Sequence, residues 1–173
     1  MAVLVAAASK YGATEEIAEA IGRVLADHGL DVKVARPEGL DDMAAYDAVV
    51  VGSAVYMSEW LPAARRFVDE FGEELANRPT WLFSSGPLGS PLRPNEEQAV
   101  RLEPIWSKTR AMGHRLFGGK LDKRRLGLRE RVVANAVRAP EGDFRDWDDI
   151  RAWAASIAET LVWLDIHGAR RAA

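Results

Sequence analysis

The chain contains no cysteine, which excludes disulfides, thiolate metal sites and cysteine nucleophiles together. Its only histidines, His28, His114 and His167, are scattered, with no spacing that suggests a metal cluster. No Gly-Lys-Ser/Thr closes a glycine-rich loop, so the Walker pattern is missing. The fingerprint G-x-G-x-x-G is missing too, which disfavours NAD. Long hydrophobic runs are few: the opening one, Ala2 to Ala8, is too short to span a bilayer and has no basic leader, so a cytoplasmic protein is expected. That run ends in Ala8-Ser9, without the acidic pair that a receiver-type phosphorylation domain uses to hold Mg²⁺. Repeats, low-complexity tracts and linkers are also absent.

What remains is an ordinary globular composition. The 173 residues are 48% hydrophobic and 28% charged, enough for one α/β domain spanning 1–173. The net charge of −3 hides an asymmetry: residues 101–138 carry eleven Lys/Arg against three Asp/Glu, and the rest carries twelve against twenty-three. Such polarity is usually a solvated face, and it can also steer partners or touch an anionic membrane; nucleic acid is not an expected partner.

The beginning of the chain organises the rest. Ala2–Ala8 (AVLVAAA) has the continuous small-apolar character of a strand buried on both faces. After Thr14, Ile17, Ile21, Val24 and Leu25 fall at i, i+4, i+7 and i+8, one face of a helix, with Gly29 at its expected end. The connection Ser9-Lys10-Tyr11-Gly12-Ala13-Thr14 is therefore a strand-to-helix turn. Backbone N–H groups and the helix dipole make such a corner an anion site, to which Ser9 and Thr14 add hydroxyl donors. Gly12 allows close approach of the backbone to a ligand. A single phosphate at this place points to a mononucleotide.

Further on, Asp31–Ala35 alternates as a strand nearer an edge, and 47–53 (DAVVVGS) is a third, buried strand. Ser58 is placed to cap a helix with Pro62 in its first turn and Ala64, Phe67, Val68, Phe71 and Leu75 on its buried stripe. Thr80–Ser85 is a fourth strand and His114–Phe117 a fifth. Between them, a helical segment starting at Asn95 is expected to be interrupted by Pro104 and to continue toward Met112. Lys123–Val137 reads as an added basic helix, and Asp146 caps a last helix carrying Ile150, Trp153, Ala154, Ile157 and Leu161. Alternating strands and helices predict a doubly wound parallel sheet, whose ligands bind beyond the carboxyl ends of the strands.

Three loops occupy those ends: 9–14, 53–60 and 84–89. Small residues in the second and third leave backbone groups free to meet the polar edge of a flat ring, and Tyr56 and Trp60 could cover its face. The spacing suits a ligand the size of flavin mononucleotide, FMN. Trp81, Trp106, Trp147, Trp153 and Trp163 are expected in the core.

These residues carry a resemblance. Ser9 to Thr14 resembles the phosphate loop of flavodoxins. V-V-V-G-S-A-V-Y followed by F-V-x-E-F looks like the flavodoxin-domain branch that includes the menaquinone-dependent protoporphyrinogen dehydrogenases. The likeness extends to L-F-G-G-K-L at Leu116–Leu121, an inserted segment after it, and a closing D-W-x-x-I-R-x-W-A helix. It implies a flavodoxin-like five-stranded sheet of order 2-1-3-4-5 with the basic helix inserted after strand five. It also implies noncovalent FMN, with Ser9, Lys10, Tyr11, Gly12, Ala13 and Thr14 around the phosphate. Ala54, Val55 and Tyr56, with Ser84, Ser85, Gly86, Pro87, Leu88 and Gly89, would frame the ring. Tyr11 stands where flavodoxins typically carry a small hydroxyl residue, and G-P-L-G-S-P replaces their acidic loop.

Three functions follow as expectations. The first is an FMN electron carrier serving a redox partner protein or a quinone, which needs no catalytic side chain. The second is an FMN-dependent dehydrogenase of the protoporphyrinogen–quinone type. There the segment from Lys120 to Arg138 would attract tetrapyrrole propionates or an anionic membrane surface, making the protein peripheral. The third is a cofactor-free flavodoxin-like binding module, favoured if Tyr11 blocks the corner.

Overall fold

The computed structural model describes residues 1–86, 100–122, 124, 127 and 141–169. Strand β1 (Ala2–Ala8) leads through the first loop into helix α1 (Ala13–Asp27) and edge strand β2 (Asp31–Ala35). Strand β3 (Ala48–Tyr56) turns back into a two-residue strand β4 (Glu59–Trp60) before helix α2 (Pro62–Ala76). Strand β5 (Thr80–Gly86), helix α3 (Glu103–Thr109) and strand β6 (Gly113–Gly118) follow. Short strands β7 (Lys120–Leu121) and β8 (Gly142–Asp143) pair antiparallel, and helix α4 (Trp147–Ala169) ends the described chain.

The main sheet is parallel in the order β2-β1-β3-β5-β6, the expected 2-1-3-4-5 once the β4 hairpin strand is counted. Alternating side chains feed two cores, one on each face. Val3, Val5, Ala7, Val50, Trp81 and Phe83 meet α1 and α4 on one side. Leu4, Ala6, Val49, Val51, Leu82 and Leu116 meet α2 and α3 on the other. A sheet covered on both faces explains why its central strands read as unbroken apolar runs. The register holds Ala8 level with Ser53, Ser53 with Ser84, and Ser84 with Leu116, so four strands end side by side.

Four local expectations are corrected. Ser58 does not cap α2: it lies in the two-residue β3–β4 turn at φ 67°, beside Met57 at φ 50°, and Leu61 occupies the cap position. Two successive left-handed residues match the twist of a tight hairpin, which no periodic signal announces. Pro104 starts a helix rather than interrupting one, because in the first turn its missing N–H costs no intrahelical bond. That helix stops at Thr109, where Arg110 turns left-handed, short of Met112. Trp106 and Trp163 lie at the surface, Trp163 stacked on His167 at 4.2 Å between ring centroids. The expected start at Asn95 and the basic helix 123–137 fall outside the described residues, apart from Arg124 and Gly127. Asp146 does cap α4, its Oδ1 accepting from the Asp148 and Asp149 amides at 3.1 and 3.0 Å. Among the described residues, no helix is long and apolar enough to cross a membrane.

Candidate functional site

A cleft opens where the parallel strands end. Ser9, Lys10, Tyr11, Ala13 and Thr14 from the first loop line it, with Ala54, Val55 and Tyr56 from the second and Ser85 and Gly86 from the third. Ten of the fifteen candidates are therefore brought together. Pro87, Leu88 and Gly89 lie outside the described residues.

The first loop is built around Gly12, which sits in the left-handed region at φ 88° immediately before α1. An L side chain there is strained even though the space around it is open. The amides that open such a helix have no intrahelical acceptor. Ser9 Oγ accepts from the Gly12 amide at 3.0 Å and the Thr14 amide at 3.3 Å. One hydroxyl oxygen thus occupies the position that an anion's oxygen takes at such a corner. The donor set, backbone N–H groups plus Ser9, buried Thr14 and the dipole of a fifteen-residue helix, fits a phosphate. Lys10 brings a cation to the rim, its Nζ 5.6 Å from the Tyr11 ring centroid and 5.7 Å from that of Tyr56. Tyr11 is a wall of the cleft.

Ser84 belongs to the structure beneath the cleft. Its side chain points to the α2 face, where its hydroxyl accepts from Trp60 Nε1 at 2.8 Å and meets His114 Nε2 at 2.9 Å. Trp60 is 1% exposed, so it packs in the core and covers no ligand face. The indole is held there by the β4 strand and by this hydrogen bond. Burial without a compensating acid pushes His114 down to about 4, so the imidazole is neutral near pH 7. Ser53 is similarly engaged: its Oγ donates to the Ala54 carbonyl at 2.8 Å and accepts from the Leu61 amide at 2.9 Å. That pair fastens the second loop to the start of α2. Tyr56, by contrast, remains at the cleft, 39% exposed.

The structure adds Leu61, Gly119, Lys120 and Leu121 to the cleft wall. The last three follow β6, the fourth strand to end at this level. A Cβ on Gly119 would stand 2.4 Å from the Gly86 carbonyl oxygen, so two backbones touch where the third and fourth loops begin. Gly119, Lys120 and Leu121 follow closely on the expected fifth strand, His114–Phe117, so the strand-end rule is the signal that could have found them. Leu61 gave no such signal, because the hairpin that positions it is two residues long. Among the described residues, no group of acidic and histidine side chains could hold a metal ion.

A family model described as "Flavodoxin domain" matches residues 4–148. A search of curated proteins finds no match. Among solved structures, the chain is similar to an archaeal flavodoxin at 19% identity, covering 92% of this chain and 98% of that one, TM-score 0.59. Oxidised flavodoxin 1 from Bacillus cereus is similar at 15% identity over 92% and 98%, TM-score 0.60. Rubredoxin oxygen:oxidoreductase from Desulfovibrio gigas is similar at 16% identity, TM-score 0.60; 92% of this chain corresponds to 36% of that longer one. Identities this low carry the fold alone.

Proposed function

The chain belongs to the flavodoxin-domain family, and from that premise we propose that it binds FMN in the strand-end cleft and transfers electrons to a redox partner protein or a quinone. The observation that carries the reading is the Gly12 corner: a left-handed residue opening α1, with Ser9 Oγ already gathering two of its amides. Bound FMN would supply the redox chemistry. Ser9, Gly12, Ala13 and Thr14 would hold its phosphate, with Lys10 and Tyr11 at the rim. Ala54, Val55, Tyr56, Ser85 and Gly86 would border the ring, and Tyr56 would shield one edge from water. Pro87, Leu88 and Gly89 continue the third loop and complete the candidate set. Ser84 would act from below, holding β5 level with β3 through Trp60. Electron transfer at the cleft asks for no general acid or base from this chain. The test is spectroscopic: purified protein incubated with FMN and desalted should retain a flavin absorption band in stoichiometric amount. A colourless protein would overturn the reading.

A second reading is favoured by one observation. Gly119, Lys120 and Leu121, the root of the segment toward Arg138, form part of the cleft wall. A substrate held against Gly119, Lys120 and Leu121 would share the cleft with the flavin. This favours an FMN-dependent dehydrogenase of the protoporphyrinogen–quinone type. Anaerobic mixing of FMN-loaded protein with protoporphyrinogen should bleach the flavin band; an unchanged spectrum would leave the electron carrier as the function.

A further inference from the structure

Arg145 is a charged residue with almost no access to water. Its side chain is 3% exposed, yet it lies outside every motif discussed above. Two of its nitrogens, Nε and Nη2, bind the Asp143 carboxylate at 2.7 and 2.6 Å. Nη1 reaches across 129 positions of sequence to Glu16 Oε2 at 2.7 Å and also donates to the Ala13 carbonyl at 3.3 Å. The guanidinium carbon lies 4.5 Å from the Trp147 ring centroid. Hydrogen bonding to Asp143 raises the Arg145 pKa further above its already high value, so the cation is permanent.

Ala13 and Glu16 belong to the first turn of α1, the turn whose amides form the anion corner. That turn carries two acids, Glu15 and Glu16. Acids there stabilise an isolated helix through its dipole, but they oppose a phosphate dianion seated on the same amides. Each has an arginine: Glu15 faces Arg36 Nε at 2.7 Å and Glu16 faces Arg145. Arg36 is the exposed partner of its pair, whereas in the other pair the cation is shielded and Glu16 is the half-exposed partner, and the same guanidinium also holds Asp143.

We propose that Arg145 is a positioning residue for the phosphate of the bound mononucleotide: it offsets the charge of Glu16 and holds the first turn of α1 against β8, so that the corner accepts a dianion. The proposal rests on the FMN reading above. It separates phosphate recognition from ring recognition, because Arg145 is not among the residues lining the cleft.

The experiment compares FMN with riboflavin, which has the same ring and no phosphate. Affinities are measured by flavin fluorescence quenching for the wild-type chain, Arg145→Met, Glu16→Gln and the double variant. Arg145→Met should lose about tenfold or more in FMN affinity, the scale of one charged hydrogen bond, with riboflavin affinity little changed. In Glu16→Gln the amide oxygen still accepts from Arg145 while the acid charge is gone, so preference for FMN over riboflavin should rise. Adding it to Arg145→Met should restore part of the lost preference. An unchanged FMN-to-riboflavin ratio in Arg145→Met overturns the proposal alone, as does a fall in that ratio in Glu16→Gln. Should Arg145→Met not fold, the direction of the Glu16→Gln change decides. Failure of the wild-type chain to take up FMN overturns the flavin reading, and this proposal with it.

Discussion

His114 makes folding stability depend on pH in a direction that can be worked out in advance. In the unfolded chain its imidazole titrates at the ordinary value of 6.5; in the fold burial lowers this to about 4. Between those two values the unfolded state binds more protons, so stability must fall as pH falls. The contribution is fully present above pH 6.5 and is lost progressively down to the folded value. Each pH step is worth about 1.4 kcal/mol, so by about pH 4.5 the loss is about 2.5 kcal/mol. That is a sizeable part of the roughly 5–15 kcal/mol holding a typical domain together. Carboxylates also titrate at the lower end of this window, so the wild-type curve alone cannot isolate the effect.

The informative perturbation is therefore His114→Gln. Glutamine does not titrate and can still hydrogen-bond Ser84, whose hydroxyl keeps the Trp60 indole as its other partner. Urea denaturation followed by circular dichroism, from roughly pH 7.5 to about 4.5, yields a stability curve for each protein. A constant offset between the curves reports packing and is irrelevant. The wild-type curve should fall more steeply than the variant's by about 2.5 kcal/mol over that range. Parallel curves would refute the argument, because they would mean that the imidazole is hydrated as well in the fold as out of it.

Three further outcomes are expected. Gly12→Asp combined with Thr14→Ala should weaken FMN binding by at least about tenfold in a fluorescence titration, since a carboxylate would face the phosphate; unchanged affinity would count against the corner. Trp60→Phe should lower stability by about 1–3 kcal/mol in chemical denaturation, the hydrogen bond to Ser84 plus the space a smaller ring leaves in the core. Gly119→Ala should cost about 1–3 kcal/mol by overpacking and also weaken FMN uptake, because its Cβ meets the Gly86 carbonyl oxygen. A variant that melts and binds like wild type would show that this backbone contact gives way without reshaping the cleft.

The fold was legible because burial leaves different marks on strands and helices. Val3 to Ala8 and Val49 to Val51 are apolar at successive positions, as strands covered on both faces must be. Ile17, Ile21 and Leu25 recur at the helical period. The first loop was legible for the same reason: a known strand and a known helix leave only Ser9 to Gly12 to make the turn. Arg145 was not legible, since its partners Ala13 and Glu16 are more than a hundred residues away and an isolated arginine looks like any solvated cation.

The position of Ser84 beneath the cleft could not be read from what made β5 recognisable. In a strand with one wet face, polar and apolar residues alternate, and the alternation states which way each side chain points. In β5, Thr80 through Gly86 are all buried, so the pattern that identifies the strand also erases the distinction between its faces. Ser84 and Ser85 then look equivalent, although one faces Trp60 and the other the cleft. The neighbour decides between them: Trp60 arrives beneath Ser84 only because the chain folds back after Tyr56 through two left-handed residues. A two-residue strand has no period to detect, and Met57-Ser58 lacks the Asn or Gly that ordinarily marks such a turn. The serine that lines the cleft and the one that braces the sheet are thus distinguished by a hairpin too short for any sequence pattern to register.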